Sequence, residues 1–505
     1  MRTLSYGQAH LHIDASKVRT IVIVGAGFCG TTLAVHLLRS WTPVPLHICL
    51  VEQTREFGRG LAYSKSDFPY LLNVAAARMS MDSKDPMQFV RFAKRRDPAA
   101  SGSDFLSREL YGDYLQSMLS DAERRAHSHI NLTRIRGQAR QIVETSVGRA
   151  RVELANGSAL DADDVVIATG NPPPEEPQCA ESLRGHPDYV NSPWELPVAR
   201  SNWRNVFVIG TGLSMVDVAL QLIDETPNAA SLRVNAVSPR GLLPLAHSDD
   251  ESSNATQAAI ISAGMPLRSL IRDVRQHANA IAIRGGDWRE LVKAMRTHAP
   301  QIWRRLTDVE RARFFRHVRP FWEIHRHRLP AHIAQALIEA RSRGNLRLRA
   351  GRIQSMHRVG DQIKVLWRSR GGIEASTFIA DAVINATGPN YRLATTRNPL
   401  LRSLFDSGVI TADRASLGIR TNSLGAVIDA NNIARRNLFY LGPMLRATHW
   451  EATAVPELRI HAERLAATLI NNVSAESNED HDPEERHFQL APSRPEFTSL
   501  GVSQL

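Results

Sequence analysis

The sequence has few cysteines. Its 505 residues include only Cys29, Cys49 and Cys179, and no two of them form a CxxC pair. Disulfide frameworks, zinc knuckles and dithiol redox centres all require paired thiols, so this spacing argues against each of them. Cys29 lies in a glycine-rich segment and Cys49 in an apolar one, and we expect both to be small packing residues.

Long apolar runs are also absent. No run approaches the roughly 20 apolar residues that cross a bilayer. The first segment, Met1 to Lys17, contains His10, His12 and Asp14 and lacks the apolar centre of a secretory signal. These absences predict a cytoplasmic protein without a membrane partner.

Positive charge is plentiful but unevenly placed. The formal net charge is +11, and the segment from Arg284 to Arg352 contains 17 Arg and Lys against six Asp and Glu. This segment alone therefore accounts for the excess. A polyanion-binding surface is one interpretation. A basic lining for a phosphorylated cofactor or an acidic substrate is the other, and we expect no nucleic-acid partner.

A glycine-rich turn lies between two short apolar runs near the N-terminus. Residues Val18 to Val24 predict a β-strand, and Thr31 to Ser40 show helical spacing. A second apolar run, Leu46 to Val51, ends on Glu52. A strand, glycine turn, helix and second strand in this order are typical of a parallel α/β fold.

A second copy of this pattern begins near residue 205. Asn205 to Ile209 predicts a strand, Val216 to Ile223 a helix and Leu232 to Val237 the next strand. Gly25 lies 27 positions before Glu52, and Gly210 lies 27 positions before Val237. Two units with equal spacing indicate an α/β protein with two Rossmann-like dinucleotide-binding domains of the three-layer ββα/βαβ type.

Each unit is closed by a further apolar strand that enters a turn of small residues. Asp164 to Ala168 leads into Thr169-Gly170, and Asp381 to Asn385 leads into Thr387-Gly388 after Ala386. The predicted organisation is an N-terminal lead (1–17), a first dinucleotide-binding domain (18–195 and 376–470), a second dinucleotide-binding domain (196–254 and 344–375), a helical Arg/His-rich insertion (255–343) and a disordered acidic tail (471–505).

The first glycine turn has the residues that a dinucleotide requires. Gly25 permits the tight turn, Gly27 lets the backbone approach a pyrophosphate, and Gly30 lets the helix pack on the strand. The helix N-terminus favours the pyrophosphate, and Glu52 can accept hydrogen bonds from ribose hydroxyls. The predicted contacts are Gly25, Ala26, Gly27, Phe28, Cys29, Gly30, Glu52, Thr169 and Gly170.

The second turn differs from the first in two ways. Met215 replaces the third glycine, so the helix and strand must lie further apart. The position matched to Glu52 by spacing is Val237, and Ser238 and Arg240 follow it, which suits the 2′-phosphate of NADPH. The predicted contacts are Gly210, Gly212, Leu213, Ser214, Ser238, Arg240, Thr387 and Gly388.

Together these features resemble a family of bacterial FAD/NAD(P)-binding flavoproteins with two dinucleotide-binding domains, distantly related to flavin and N-hydroxylating monooxygenases. The resemblance covers about residues 18 to 470. The motifs that carry it are Gly25–Gly30, Gly58–Tyr63, Leu71–Val74, Met79–Ser80, Arg108 with Tyr111–Gly112, Gly210–Asp217, Ser238 with Arg240–Pro244, Asp287–Arg289, His325–Arg328, Trp450–Glu451 and Pro456–Arg459.

The resemblance implies FAD in the first unit and NADPH in the second. It places the stretch from Leu71 to Ser80 against the flavin. It also implies that a helix from Ala452 to Leu458 points its N-terminus at the flavin pyrimidine, where it would stabilise the reduced anion. The further cofactor contacts implied in this way are Arg59, Asn73, Met79, Ser80, Gly442, Pro443, Glu451 and Thr453.

A His-rich cluster in the insertion invites a metal interpretation. His317, Glu323, His325 and His327 are close in sequence, and an HxH pair can bind zinc or iron. Four arginines surround the cluster and oppose a cation, so we expect no metal. A structural bridge between domains and a pocket for substrate or for the NADPH phosphate are the remaining interpretations.

No residue is identified as the catalytic acid or base. The candidates, named because the family pattern places them near the flavin, are Asn73, Tyr189, His449 and Glu451. Flavin monooxygenases carry an FxGxxxHxxxW-like linker, and the corresponding segment here, Leu183 to Trp194, has Tyr189 in place of the histidine.

The expected function is an FAD-containing, NADPH-dependent monooxygenase that uses O2 and a C4a-hydroperoxyflavin to oxygenate a small amine or anionic metabolite. One alternative is an NADPH-dependent reductase or dehydrogenase that does not oxygenate. Another is a non-catalytic, cofactor-binding regulatory protein. Two separate nucleotide sites favour the enzymes, since hydride transfer explains both sites most simply. The substrate and the oligomeric state stay open.

Overall fold

The computed structural model describes residues 18–146, 148–197, 202–248 and 265–479. The predicted N-terminal lead, the first ten residues of the predicted insertion and the tail from residue 480 lie outside the described residues. Within them, none of the helices is long and apolar enough to cross a membrane.

The strands form three sheets. In chain order, they are β1 (Arg19–Val24), β2 (Leu46–Glu52), β3 (Ile130–Arg136), β4 (Ala139–Ser146), β5 (Arg149–Leu154), β6 (Ala159–Ala162), β7 (Asp164–Ile167), β8 (Tyr189–Val190), β9 (Asn205–Ile209), β10 (Arg233–Ser238), β11 (Leu346–Val359), β12 (Gln362–Ser369), β13 (Ala375–Ala380), β14 (Ala382–Asn385), β15 (Ala426–Ile428) and β16 (Ala434–Tyr440).

The α-helices cover the sheets and build the insertion. In chain order, they are α1 (Phe28–Arg39), α2 (Gln88–Lys94), α3 (Arg108–Arg125), α4 (Leu213–Glu225), α5 (Leu267–Ile283), α6 (Trp288–Arg305), α7 (Asp308–Arg313), α8 (Arg319–Arg326), α9 (Ala331–Ser342), α10 (Pro399–Asp406) and α11 (Val455–Glu479). A π-helical turn, Phe314–Val318, joins α7 to α8.

The first sheet has the strand order β15-β16-β7-β1-β2-β3. Strand β1 lies between β2 and β7 and is parallel to both. Its residues Ile21, Val22 and Ile23 are fully buried, because helix α1 and strand β6 of the small sheet both pack against β1. The small sheet β4-β5-β6 belongs to the same unit.

The second sheet has the order β13-β12-β11-β10-β9-β14-β8. Strand β14 pairs in parallel with β9, so that Ala382 lies opposite Val206. The predicted return to the FAD-binding domain at residue 376 is therefore wrong, because β13 and β14 complete the second sheet. The return follows the turn at Gly388.

Several element boundaries also differ from the predictions. Helices α1 and α4 begin at Phe28 and Leu213, directly after the second glycine of each turn. Helix α11 continues to Glu479 and buries Leu469 and Val473. Residues 471–479 are therefore helical, because this apolar face extends the helix past the predicted start of the disordered tail.

The predicted insertion consists of two parts. Helix α9 buries Leu337 and Ala340 against the core of the second sheet, so it is one of that sheet's covering helices. Helices α5 to α8 instead form a separate apolar cluster that includes Leu291 and Trp303 together with Trp450. The body of the insertion thus packs on the segment that precedes α11.

A buried carboxylate fastens the insertion to this segment. Glu451 is 3% exposed, and its Oε2 lies 2.5 Å from Nε of Arg326 on α8. A second oxygen accepts a hydrogen bond from Trp322 Nε1 at 3.2 Å, and Arg296 Nε lies 3.4 Å from Oε2. The Arg326 guanidinium also donates to the Glu451 carbonyl at 3.0 Å. This arrangement supports the structural interpretation of the His/Arg-rich segment.

The two dinucleotide-binding units contact each other through polar side chains. Arg108 at the start of α3 donates to Asp217 on α4 at 2.7 Å, and the Tyr70 hydroxyl donates to Gln221 on the same helix. The Arg108 guanidinium lies over the rings of Tyr70 and Trp194, at 5.3 and 5.7 Å. The Arg108 motif of the family pattern therefore joins the units.

Removal of the buried carboxylate is expected to destabilise the protein. Glu451→Ala leaves Arg326 buried without its partner, which costs about 3–5 kcal/mol, and urea unfolding followed by circular dichroism measures the loss. Asp161→Ala is the control, because Arg151 and Asp161 are 48% and 52% exposed and such pairs contribute about 1 kcal/mol or less. Equal losses in the two variants would contradict the anchoring role.

Candidate functional site

The first glycine turn admits no side chain at two of its positions. Gly25 has φ +110°, and a Cβ there would lie 2.4 Å from the Ala168 carbonyl oxygen. A Cβ on Gly30 would lie 1.9 Å from the Gly25 carbonyl oxygen. The turn is held at the sheet edge by Gly25 N–H, which donates to the Val51 carbonyl at 2.8 Å.

The amides at the start of α1 are available to a ligand. Gly27 is the N-cap residue and provides no side-chain hydrogen bond. The first N–H groups of the helix, at Phe28, Cys29 and Gly30, therefore lack the cap that Ser, Thr or Asp would supply. Uncapped amides and the positive end of the helix dipole suit a pyrophosphate, so the predicted FAD site fits the geometry.

Glu52 faces the same turn. Its side chain is 7% exposed, and Oε2 accepts a hydrogen bond from Ala26 N–H at 2.9 Å. Oε1 accepts hydrogen bonds from the Thr54 amide and hydroxyl at 3.0 and 3.2 Å. These contacts fix the carboxylate at the end of β2, and its remaining lone pairs suit ribose hydroxyls.

A second glycine segment covers the first turn. Gly58 N–H donates to the Ala26 carbonyl at 2.8 Å. Gly60 has φ +56°, and a Cβ there would lie 2.9 Å from the Cα of Gly27. Sequence reasoning named this segment as a motif but gave neither glycine a role. Their role follows from the contact between two distant turns, which the local pattern does not reveal.

Arg59 holds this covering segment in place. It is 2% exposed, donates to the Glu109 carbonyl at 3.1 Å and forms an ion pair with Asp113. Its guanidinium is therefore directed at α3. These contacts give Arg59 a positioning role, and its expected contact with the cofactor stays a prediction.

The second turn repeats the geometry of the first. Gly210 has φ +117°, and a Cβ there would lie 2.4 Å from the Ala386 carbonyl oxygen. Gly212 caps α4 without a side-chain hydrogen bond, so the amides of Leu213 and Ser214 are similarly uncapped. No heavy atom lies within 4 Å of a Cβ built on Gly212, which leaves room for a ligand.

Strand pairing corrects one sequence-based equivalence. Val24 pairs with Val51 and Ile209 pairs with Val237, so the counterpart of Glu52 is Ser238 and not Val237. The count of 27 positions gives the wrong counterpart, because strand pairing determines which residues lie at equivalent positions. The length of the connection between the strands does not. Ser238 Oγ lies 2.8 Å from Thr211 Oγ1 and accepts from Gly241 N–H at 3.0 Å.

Arg240 lies two residues after the end of this strand. Its Nη2 donates to the Arg316 carbonyl at 2.8 Å, and its guanidinium lies 6.0 Å from the centre of the Phe321 ring. Among the described residues, no carboxylate pairs with it. A cationic group without an acidic partner at the end of β10 fits the predicted 2′-phosphate contact.

The turns that close the two units leave open space over their glycines. Gly170 and Gly388 have φ +73° and +87°, and no heavy atom lies within 4 Å of a Cβ built on either. At the second turn, the amide and hydroxyl of Thr387 donate to the fully buried Asn385 at 3.2 and 2.7 Å. Both turns are therefore free to accept a cofactor.

The stretch expected to meet the flavin is largely buried. Met79 is 2% exposed and Ser80 is fully buried. The Ser80 hydroxyl donates to the Asp85 carbonyl at 2.6 Å, so its side chain closes a local turn. The Asn73 carbonyl lies 3.2 Å from Nε2 of His247, which ties this stretch to the second unit.

The segment before α11 presents a hydroxyl suited to a polar ligand. A 3-10 turn begins at Pro443, directly after Gly442. Among the described residues, Thr453 Oγ1 is buried and has no hydrogen-bond partner, which is costly unless a ligand supplies one. The polar edge of a flavin fits this requirement. The carboxylate of Glu451 is instead bound to Arg326.

Two of the catalytic candidates, Tyr189 and His449, have separate surroundings. Tyr189 lies in β8 of the second sheet, donates to Asn191 at 3.2 Å, and has its pKa raised by burial. The His449 ring contacts that of His461 at 4.5 Å, and burial, together with Arg304, lowers the pKa of His449. Neither residue is thereby assigned to the chemistry.

The thiols and the histidine cluster are engaged elsewhere. Burial raises the pKa of Cys29 to about 12, so this thiol stays protonated and poorly nucleophilic. His325 packs edge-on against Trp288, with ring centroids 4.8 Å apart, and His327 Nε2 lies 2.9 Å from Glu323. In the described part of the chain, no three potential ligands come together to hold a metal.

Known proteins are similar to this chain in the sequence of its first unit and in its fold. Residues 22–172 match the profile of a family described as FAD-NAD(P)-binding. The chain is similar in structure to L-lysine 6-monooxygenase from Pseudomonas syringae, with 17% identity, TM-score 0.60 and coverage of 90% of this chain and 99% of the other. No curated protein matches the sequence.

Two further solved structures are similar. The ornithine hydroxylase from Pseudomonas aeruginosa shares 15% identity with TM-score 0.59, and 90% of this chain and 100% of the other are covered. The cadaverine monooxygenase from Erwinia amylovora shares 13% identity with TM-score 0.58, and the coverage is 95% and 100%. These structures confirm the predicted fold class and the predicted resemblance in fold to monooxygenases of ornithine, lysine and cadaverine. The match to the FAD-NAD(P)-binding profile lies within the first unit.

Gly60→Ala is expected to lower the flavin content of the purified protein. The methyl group would meet the Cα of Gly27 and force a left-handed φ on alanine, which costs about 1–2 kcal/mol. The ratio of flavin to protein absorbance measures the loss. Gly157→Ala is the control, because Gly157 has φ +85° with no heavy atom within 4 Å. Full flavin content in Gly60→Ala would refute the covering role.

Proposed function

We propose that this chain is an FAD-containing, NADPH-dependent monooxygenase that acts on a small amine or anionic metabolite in the cytoplasm. The observation that carries the proposal is the pair of uncapped helix N-termini, one in each unit, beneath turns that leave open space. Glu52 favours FAD in the first unit. Ser238 and Arg240 favour NADPH in the second.

The residues of the chain supply binding and orientation. The amides that follow Gly27 hold one pyrophosphate, and those that follow Gly212 hold the other. Thr453 donates to or accepts from the flavin edge with its buried hydroxyl. When bound, FAD accepts a hydride from NADPH and reacts with O2. The domain boundary that we propose lies after Gly388, with the FAD-binding unit resuming there.

The substrate class rests on two lines of support. The similar structures are named as enzymes of ornithine, lysine and cadaverine, all small amines. The basic insertion packs beside the segment that precedes α11 and would favour a substrate with a carboxylate. An amine that also carries an acid satisfies both. A disulfide substrate is disfavoured, since the buried Cys29 has no partner thiol within a CxxC pair.

Stopped-flow mixing tests the reaction class. Protein reduced by NADPH and mixed with O2 should show a transient absorbance that differs from both reduced and oxidised flavin. The transient should decay faster when a panel of amines and amino acids includes the substrate. Immediate reoxidation with stoichiometric peroxide release would instead support a reductase, and failure of NADPH to bleach the flavin would reject both enzymes in favour of the regulatory alternative.

Arg240→Ala is expected to weaken use of NADPH far more than use of NADH. The lost charge-assisted hydrogen bond contributes about 1.5–3 kcal/mol, which corresponds to a roughly 10- to 100-fold fall in kcat/KM for NADPH. Arg347→Ala is the control, since this exposed arginine lies on β11 of the same sheet. Similar losses for NADPH and NADH would reject a phosphate contact by Arg240.

A further inference from the structure

The π-helical turn Phe314–Val318 is fixed on its inner side and open on its outer side. Phe314 is 9% exposed, and its ring packs against Trp303 and Trp450 at 5.7 and 5.1 Å. Arg316 and His317 are exposed. Such wide turns are frequent at functional sites, because they change the direction of side chains within a helix.

This turn lies beside the end of β10. Arg240, two residues after Ser238, donates from Nη2 to the Arg316 carbonyl at 2.8 Å. The loop that carries Arg240 is itself fixed, because Thr211 Oγ1 donates to the Leu242 carbonyl at 2.5 Å and Ser238 accepts from Gly241 N–H. The backbone of Arg316 is thus held next to the place where a ribose 2′-substituent is expected.

The charges at this place are uncompensated. Neither Arg240 nor Arg316 has a carboxylate partner among the described residues. Other arginines of the same helical segment do, since Arg319 lies 3.7 Å from Glu323 and Arg326 lies 2.5 Å from Glu451. An anion at the end of β10 would therefore be attracted both by Arg240 and by the charge of Arg316, whose backbone is held there.

We propose that the helical insertion supplies Arg316 as a second specificity-determining arginine for the 2′-phosphate of NADPH, beside Arg240. This inference rests on the proposed use of NADPH. Guanidinium groups bind phosphate through paired, charge-assisted hydrogen bonds, and NADH lacks this phosphate. The insertion then serves cofactor selection through Arg316 and through the carbonyl that orients Arg240.

The test is a binding measurement that requires no turnover. Full-length wild-type protein, Arg316→Gln and Arg316→Lys are titrated with NADP+, NAD+ and 2′-AMP by calorimetry. Loss of one charge-assisted contact of about 1.5–3 kcal/mol predicts roughly 10- to 100-fold weaker binding of NADP+ and 2′-AMP by Arg316→Gln. Binding of NAD+ should change less than about twofold, and Arg316→Lys should recover part of the affinity.

Arg305→Gln provides the matched control. Arg305 is exposed at the end of α6 in the same insertion, so the variant repeats the change in net charge away from β10. Equal weakening in Arg305→Gln and Arg316→Gln would assign the effect to the general field and overturn the inference.

The outcomes separate this inference from the proposed function. A wild-type preference for NADP+ over NAD+ that persists undiminished in Arg316→Gln would overturn the role of Arg316 and leave the proposed NADPH dependence intact. Equal wild-type affinity for NADP+ and NAD+ would overturn both. Weaker binding of 2′-AMP in Arg316→Gln, with NAD+ unchanged, supports both.

Discussion

The fold depends on one close contact that occurs twice. In each unit, the carbonyl oxygen of the residue that follows the closing strand, Ala168 or Ala386, lies 2.4 Å from the position that a Cβ on the first glycine would take. The contact lets three parallel strands end at one level beneath a helix N-terminus. Without it, the turn would be pushed outward, and the uncapped amides would no longer face the space at the carboxyl edge of the sheet.

The same constraint explains why the two sites differ so little in shape and so much in chemistry. Gly25 and Gly210 have almost the same backbone conformation, and both accept only glycine. The residue that ends the neighbouring strand differs between the two units, because no contact comparable to that of the glycine constrains its side chain. A carboxylate, Glu52, stands there in the first unit, and Ser238 stands there in the second.

The position of the helical insertion depends on a second set of contacts. Buried ionic contacts at Glu451 and the stacking of Trp303 on Trp450, 4.8 Å apart, bind it to the segment that enters α11. Breaking such a pair leaves an uncompensated charge, so the insertion is held firmly in one place. That placement brings the Arg316 carbonyl to the guanidinium of Arg240 and so connects a segment without a nucleotide motif to the end of β10.

The sequence alone determined the two glycine turns and the parallel α/β units. It also determined that an acidic residue ends the second strand of the first unit and that a basic residue follows the second strand of the other. These features depend on neighbouring residues and on strand and helix periodicity. Only the tertiary structure decided that Ser238 is the counterpart of Glu52, that Gly60 covers Gly27, that Arg59 binds α3 and that Arg240 meets Arg316. Each of these depends on strand register or on contact between distant segments, and a single sequence carries no local signal for such contacts.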